Sequence, residues 1–378
     1  MTQPRRPALR LALALTAVLL ASCAKQADTL RIGEFASMTG KEATYGQASH
    51  KGTLLAIDEV NAAGGVLGKK LELLSEDNQS KAGESATIVK KFISRDKVIA
   101  VLGEVASSRS LEAAPICQAA GIPMITPSST SPEVTAKGDY IFRVCFIDPF
   151  QGTVMAKFAK NSLKVRRVAL LTSASSAYSV GLAKYFKERF AADGGVVALE
   201  QKFSEGDKDF RAQLTAIKAA QVEGLFVPGY YAEAALICKQ AQDLGIKVPI
   251  FGADGWESPE LVSIGGKAVE GTFFATHYSP ENSDPAVVKF NTLFRQRWGD
   301  ASDTLNGLGY DSVMMLVDAL KRAGTTEPAK LRDALAVTKN FPGVTGTITL
   351  DDQRNPTKSA VVLTVKNGKF VFVESIAP

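Results

Sequence analysis

The residues best placed to hold a charged metabolite sit in short loops that leave apolar runs. Gly103 to Ser108 follows Val98 to Leu102 and carries Ser107 and Ser108 to the start of a helical stretch. A helix start exposes free N–H groups and the positive end of the dipole, so it favours an anion. Pro127 to Thr130 follows Pro123 to Ile125 and adds the hydroxyl of Thr130 and the backbone carbonyl of Ser128. Gly252-Ala253-Asp254-Gly255 follows Pro249 to Phe251 and offers a single carboxylate, the complement of a cation. Gly229 to Ala232 leaves Gly224 to Val227 at the matching place in a second half of the chain. Donors on one set of loops and a carboxylate on the other suit the two ends of a charged ligand. Ser107 equally suits a helix cap, Ser128 and Thr130 a shaped loop, and Asp254 beside Gly255 a turn. Glu104 and Arg109 flank Ser107 and either reach the cleft or are solvated; Glu104 has no assigned role.

Nothing comparable points to catalysis. The chain has 2 histidines, His50 and His277, and neither lies in a Ser or Cys pattern that builds a triad. Gly64 to Lys70 resembles a phosphate loop only loosely, being too short and lacking a Ser or Thr after the lysine. No Cys or His spacing suits a metal, so neither enzyme chemistry nor a cofactor is expected. Cys117, Cys145 and Cys238 are odd in number, so at least one thiol is unpaired within the chain, and Cys117 and Cys238, among apolar neighbours in helical patterns, read as small buried hydrophobes.

The elements that must position these loops alternate. Strands are expected at Leu30 to Phe35, Lys70 to Ser75, Val98 to Leu102 and Pro123 to Ile125, with helices at Tyr45 to Ala63, Lys81 to Arg95 and Ser107 to Ala120, the last capped by Ser107 or Ser108. The pattern restarts with strands at Arg167 to Leu171, Val196 to Lys202, Gly224 to Val227 and Pro249 to Phe251. Its helices are Ala177 to Asp193, Phe210 to Ala220 and Tyr231 to Leu244. Strand, helix and parallel strand in repetition imply a doubly wound α/β sheet in each half. Gly64-Gly65 and Gly194-Gly195 end corresponding helices, where glycine supplies a left-handed cap. The tail reads as helices Asp284 to Trp298, Leu305 to Arg322 and Pro328 to Thr338, then strands Gly346 to Leu350, Ser359 to Lys366 and Lys369 to Glu374. Short hinges are expected near Asp148-Pro149, His277 to Pro280 and Arg354 to Pro356. The halves are then residues 29–148 with 278–355, and 149–277 with 356–378.

The N-terminal 22 residues read as an export signal. Arg5, Arg6 and Arg10 precede the apolar run Leu11 to Leu20, which is too short to span a bilayer. Leu20-Ala21-Ser22-Cys23 is similar to the lipobox of bacterial lipoproteins, in which the cysteine takes a diacylglycerol; residues 23–28 then form a tether. Length, 378 residues, suits two domains, and 46% hydrophobic with 22% charged residues excludes disorder. The formal charge of +5 owes three units to the N-terminal arginines, so charge gives no case for nucleic acid or for a membrane surface. Membrane contact is expected through the lipid anchor only. The chain ends at Pro378 just after the last strand, which favours delivery of a ligand over signalling.

The chain resembles the leucine/isoleucine/valine-binding proteins, substrate-binding components of branched-chain amino-acid ABC transporters. The likeness rests on Ser37-Met38-Thr39-Gly40 with Tyr45-Gly46, on Ile57-Asp58-Glu59-Val60-Asn61 with Gly64-Gly65, and on Gly103 with Ser107-Ser108. It continues through Pro123 to Thr130, Tyr178, Gly181, Gly229-Tyr230, Leu308-Gly309-Tyr310-Asp311 and Gly346-Thr347-Ile348. The resemblance implies a two-lobed type I fold with three crossovers, a monomer, an extracytoplasmic site of action and a permease partner. It assigns an amino-acid carboxylate to Ser107 and Thr130, the ammonium to Asp254 and the Ser128 carbonyl, and an aromatic wall to Tyr45, Tyr178 and Tyr230. Ser80 and Ala106 stand where some relatives carry a disulfide. Asp254 stands where many carry Glu, and Trp256 is expected to line the pocket. An aliphatic amino acid is the implied ligand, with aromatic amino acids, amides and small carboxylates as alternatives.

Overall fold

The computed structural model describes residues 29–378, so the basic start, apolar run, Cys23 and its tether lie outside the described residues. Two sheets organise the chain. The first has the order β2 (Leu71–Asp77), β1 (Leu30–Ala36), β3 (Ala100–Leu102), β4 (Met124–Thr126), β5 (Ile141–Arg143), every neighbour parallel. The second repeats that order with β7 (Val196–Phe203), β6 (Arg167–Ser173), β8 (Gly224–Phe226), β9 (Ile250–Gly252) and β10 (Phe273–Thr276). Antiparallel β13 (Ala360–Lys366) and β14 (Lys369–Ile376) extend its edge. Three of the four matching glycines, all but Gly195, take the left-handed conformation: φ is 103° at Gly64, 89° at Gly65 and 82° at Gly194.

Helices α1 (Ala43–Ala62), α2 (Glu84–Lys91) and α3 (Ser107–Ala120) belong to the first sheet. Helices α4 (Asp148–Asn161), α5 (Ala177–Ala192), α6 (Arg211–Ala219), α7 (Tyr231–Asp243) and α8 (Pro259–Gly265) belong to the second. The chain then returns through α9 (Pro285–Trp298), α10 (Thr304–Ala323) and α11 (Pro328–Ala336) before its last crossing into β13. Helix α10 packs along α1 at a distance that only glycine permits. A Cβ on Gly52 would lie 1.9 Å from the Asn306 carbonyl oxygen, and one on Gly309 would lie 2.2 Å from that of Ser49. The chain crosses between sheets at β5 to α4, at β10 to α9, and before β13.

Several elements differ from the sequence reading. Strands β5 and β10 are 3 and 4 residues long, too short to show a period. Helix α4 begins where a hinge alone was expected, because Pro149 in its first turn is compatible with a helix as well as a break. The helix expected over Lys81 to Arg95 starts only after Gly83, whose φ is 83°, and ends as a π-helical turn at Phe92–Asp96. The strand expected to reach Leu350 stops at Ile348. It is β12 (Gly346–Ile348), paired with β11 (Phe341–Gly343) in a small hairpin outside both sheets. Cys117, Cys145 and Cys238 are buried and unpaired among the described residues, with burial pushing each thiol up to about 12.

Candidate ligand-binding site

In a sheet of this strand order the crevice lies at the carboxyl ends of the strands, where the winding reverses direction. The two sheets set these ends face to face. Tyr45, Ser107, Ser128, Thr130, Tyr178, Tyr230 and Asp254, the seven residues singled out from sequence, all line one cavity there, together with Val105, Gly255 and Leu305. They leave β1, β3 and β4 on one side and β6, β8 and β9 on the other. The space between these residues is about 270 Å³, part of it open to solvent, so the site is small. A more open cleft by the crossovers is built from His277 to Val287, from the β11–β12 hairpin and from the tail, and draws on none of those six loops.

The first wall is hydroxyl-rich and braced from behind. Ser107 is the first residue of α3 and does not cap it, contrary to expectation. Its Oγ instead accepts from the N–H of Ser131 at 3.2 Å, tying the helix start to the Ser128–Thr130 loop. The Ser108 Oγ accepts from the N–H of Ala177 at 3.2 Å, across the cleft. Arg143 is fully buried under this loop; its guanidinium donates to the carbonyls of Ser129 and Ser131, the latter at 2.8 Å. Glu104 and Arg109 are buried, not solvated. Glu104 accepts from the N–H groups of Ser37 at 2.8 Å and Ala106 at 2.9 Å, so it shapes the loop that presents Ser107. Arg109 donates to the Ser80 carbonyl at 2.8 Å and lies 3.5 Å from Glu42. Burial, reinforced by the charge of Glu104, pushes the Glu42 carboxyl up to about 7.

The second wall centres on Asp254. Its Oδ1 accepts from the Tyr178 hydroxyl at 2.8 Å and from the Gln151 amide at 3.0 Å; its Oδ2 lies 3.2 Å from Nε2 of His277. Tyr178 stacks on Tyr230 at 5.2 Å between ring centroids, and Tyr45 meets Tyr230 edge-on at 5.5 Å. The Tyr45 hydroxyl donates to the Gly255 carbonyl, joining the two walls. The Tyr230 hydroxyl is buried without a protein partner. Trp256 does not line the cavity. It is fully buried, with Nε1 donating to the Val227 carbonyl at 2.9 Å, and it fits because Gly252 leaves room for the indole.

Sequence reasoning missed Val105 and Leu305, the apolar members of the lining, because nothing distinguishes them from core residues. It also left His277 without a partner, yet that ring is buried against Asp254 and stacked on Phe146 at 3.8 Å. Burial, opposed by the bond to Asp254, holds the imidazole below its ordinary range and therefore neutral. Gln151 was passed over as part of a hinge; its spacing three residues after Asp148 was the available signal.

The family model described as periplasmic binding protein matches residues 29–369. The chain belongs to the periplasmic binding protein family. Among these proteins it is 32% identical over 334 residues, 88% of each chain, to the leucine-, isoleucine-, valine-, threonine- and alanine-binding protein of Pseudomonas aeruginosa. Its backbone matches the leucine-binding protein LivK of Thermotoga maritima with a TM-score of 0.89 at 40% identity, over 93% of this chain and 99% of that one. It matches LivJ of Streptococcus pneumoniae, solved with isoleucine, with a TM-score of 0.87 at 36% identity, over 93% and 100%. Within the periplasmic binding proteins, the chain thus groups with the Leu/Ile/Val-binding members. Their two-lobed α/β architecture is the one described above, and they are solute-binding proteins of transporters, not enzymes.

Proposed function

We propose that this chain captures an aliphatic α-amino acid, branched-chain by preference, between its two lobes and delivers it to an ABC transporter permease. The observation that carries this reading is the environment of Asp254. Its hydrogen-bond partners among the described residues are a hydroxyl, an amide and a neutral imidazole. No lysine or arginine bonds to it, so its charge is left for a cation in the cavity. Ser107 and Thr130 face it from the other lobe and suit a carboxylate. Val105, Leu305 and the tyrosine rings suit an aliphatic side chain. Because neither lobe satisfies both poles, binding favours the closed arrangement.

In this reading residues 1–22 are a lipoprotein signal, Cys23 carries the anchor, and the protein works outside the cytoplasm as a monomer. Residues 29–148 with 278–355 and 149–277 with 356–378 are the two lobes. The alternative is a sensing role for an amide, an aromatic amino acid or another small carboxylate. A thermal-shift panel tests the choice. Leucine, isoleucine and valine raise the melting temperature by mass action on the native state, and benzoate and acetamide do not. A shift with benzoate or acetamide alone overturns the amino-acid reading.

A further inference from the structure

The carboxylate that faces the cavity is held by two of the three crossovers. Gln151, in the first turn of α4, follows the first crossover, and its Nε2 bridges Oδ1 of Asp254 and Oδ1 of Asp148, both at 3.0 Å. His277 opens the second crossover and places Nε2 at 3.2 Å from Oδ2 of Asp254. Its other nitrogen, Nδ1, is buried with no protein partner, so the donor to Asp254 is the Nε2–H tautomer. The ring is clamped by Phe146, which belongs to the first crossover.

A neutral imidazole gives Asp254 a hydrogen bond without cancelling its charge. An imidazolium at the same place would form an ion pair and leave nothing for an incoming cation. The charged groups acting on the ring are Asp254, from the turn after β9, and Lys358, from the third crossover. Asp148, at the start of α4, reaches Asp254 through Gln151. Lys358 is itself buried, with Nζ donating to the Val144 carbonyl at 3.1 Å and to the Thr345 hydroxyl, so it is held away from Asp254.

We infer that His277 is a positioning residue that reserves the Asp254 carboxylate for a cationic ligand group while it is neutral, and that its protonation displaces that group. The inference rests on the amino-acid reading above. Ligand and proton then compete: bound leucine makes His277 harder to protonate, and acid weakens binding. Burial of the ring places this competition on the acid side of neutrality.

The test is isothermal titration with leucine from about pH 8 to about pH 5 on the full mature protein and on His277→Gln and His277→Phe. His277→Gln keeps an N–H donor that cannot ionise. The wild type is expected to lose affinity at least about tenfold as the pH falls, the scale of one hydrogen bond to a charged group. His277→Gln is expected to bind with a nearly flat profile, and His277→Phe to bind about tenfold or more weaker at every pH. Parallel acid losses in wild type and His277→Gln, or a flat wild-type profile, overturn the inference. Should the variants fail to fold, NMR titration of the wild type decides, since it carries only 2 histidines and His50 serves as internal reference. Leucine is expected to shift the midpoint of His277 to lower pH, and an unchanged midpoint contradicts the proposal. Absence of leucine binding to wild type at pH 8 is a different result: it overturns the amino-acid reading, and this inference with it.

Discussion

Lys41 Nζ lies 2.6 Å from Oε2 of Glu205, joining the loop before α1 to the loop after β7 across the mouth of the cleft. Two further contacts line the same seam. The Tyr231 hydroxyl donates to the Lys41 carbonyl at 3.0 Å, and the Ser258 hydroxyl donates to the Thr44 hydroxyl at 3.0 Å. The lobes therefore have contacts of their own, made between protein groups alone. Lys41 is one-third exposed, so its pair is screened and worth about 0.5 kcal/mol. Lys41→Met is expected to weaken ligand about twofold at low ionic strength and not at all in strong salt. Calorimetry at both ionic strengths checks this; an equal loss at both would mean the lysine acts by packing.

Tyr178 holds the second wall in register. Its hydroxyl donates to Asp254 and accepts from the N–H of Gly255 at 3.1 Å. Tyr178→Phe keeps the stacking on Tyr230 and removes both bonds. The expected loss in binding is about 1–2 kcal/mol, read from the dissociation constant. An unchanged constant would show that Gln151 and His277 alone fix the carboxylate.

How much of this was legible in the sequence depends on the kind of residue. Ser107, Thr130 and Asp254 could be found because each follows a strand of recognisable pattern, and the strand ends in an α/β sheet are where ligands go. The family motifs added the tyrosines. Glu104 and Arg143 were not legible as supports, since a charged residue buried under a loop looks like any other charge until its backbone partners are known. His277 was discounted for lacking a catalytic partner nearby in sequence. Its partner, Asp254, is brought to it only by the parallel pairing of β9 with β10.

Asp148 links binding chemistry to stability. Burial, then the charge of Asp254, pushes its carboxyl from 3.8 to about 7. The folded chain keeps a proton there that the unfolded chain has released, so this group's favourable contribution is complete below about pH 4 and is lost as pH rises through 7. Asp148→Asn is expected to gain on the order of 2 kcal/mol relative to wild type between pH 5 and pH 8.5. Denaturant melts at the two pH values read the gain. An equal difference at both would show that Asp148 does not titrate in this range.

The α1–α10 contact is a purely steric prediction. Gly52→Ala places a methyl group 1.9 Å from the Asn306 carbonyl oxygen, which belongs to backbone and cannot swing aside. The helices must part, at a cost of about 1–3 kcal/mol. A lowered melting temperature is expected, and an unchanged one would mean that the two helices sit further apart than described.

The most direct measurement compares leucine with its two halves. 4-Methylpentanoate keeps the carboxylate and side chain but lacks the ammonium; 3-methylbutylamine keeps the ammonium and lacks the carboxylate. If Asp254 and the Ser107–Thr130 wall grip opposite poles, each half should bind at least about a hundredfold weaker than leucine in calorimetry, because each strands one set of buried polar groups. Binding of 4-methylpentanoate as tight as that of leucine would contradict the account.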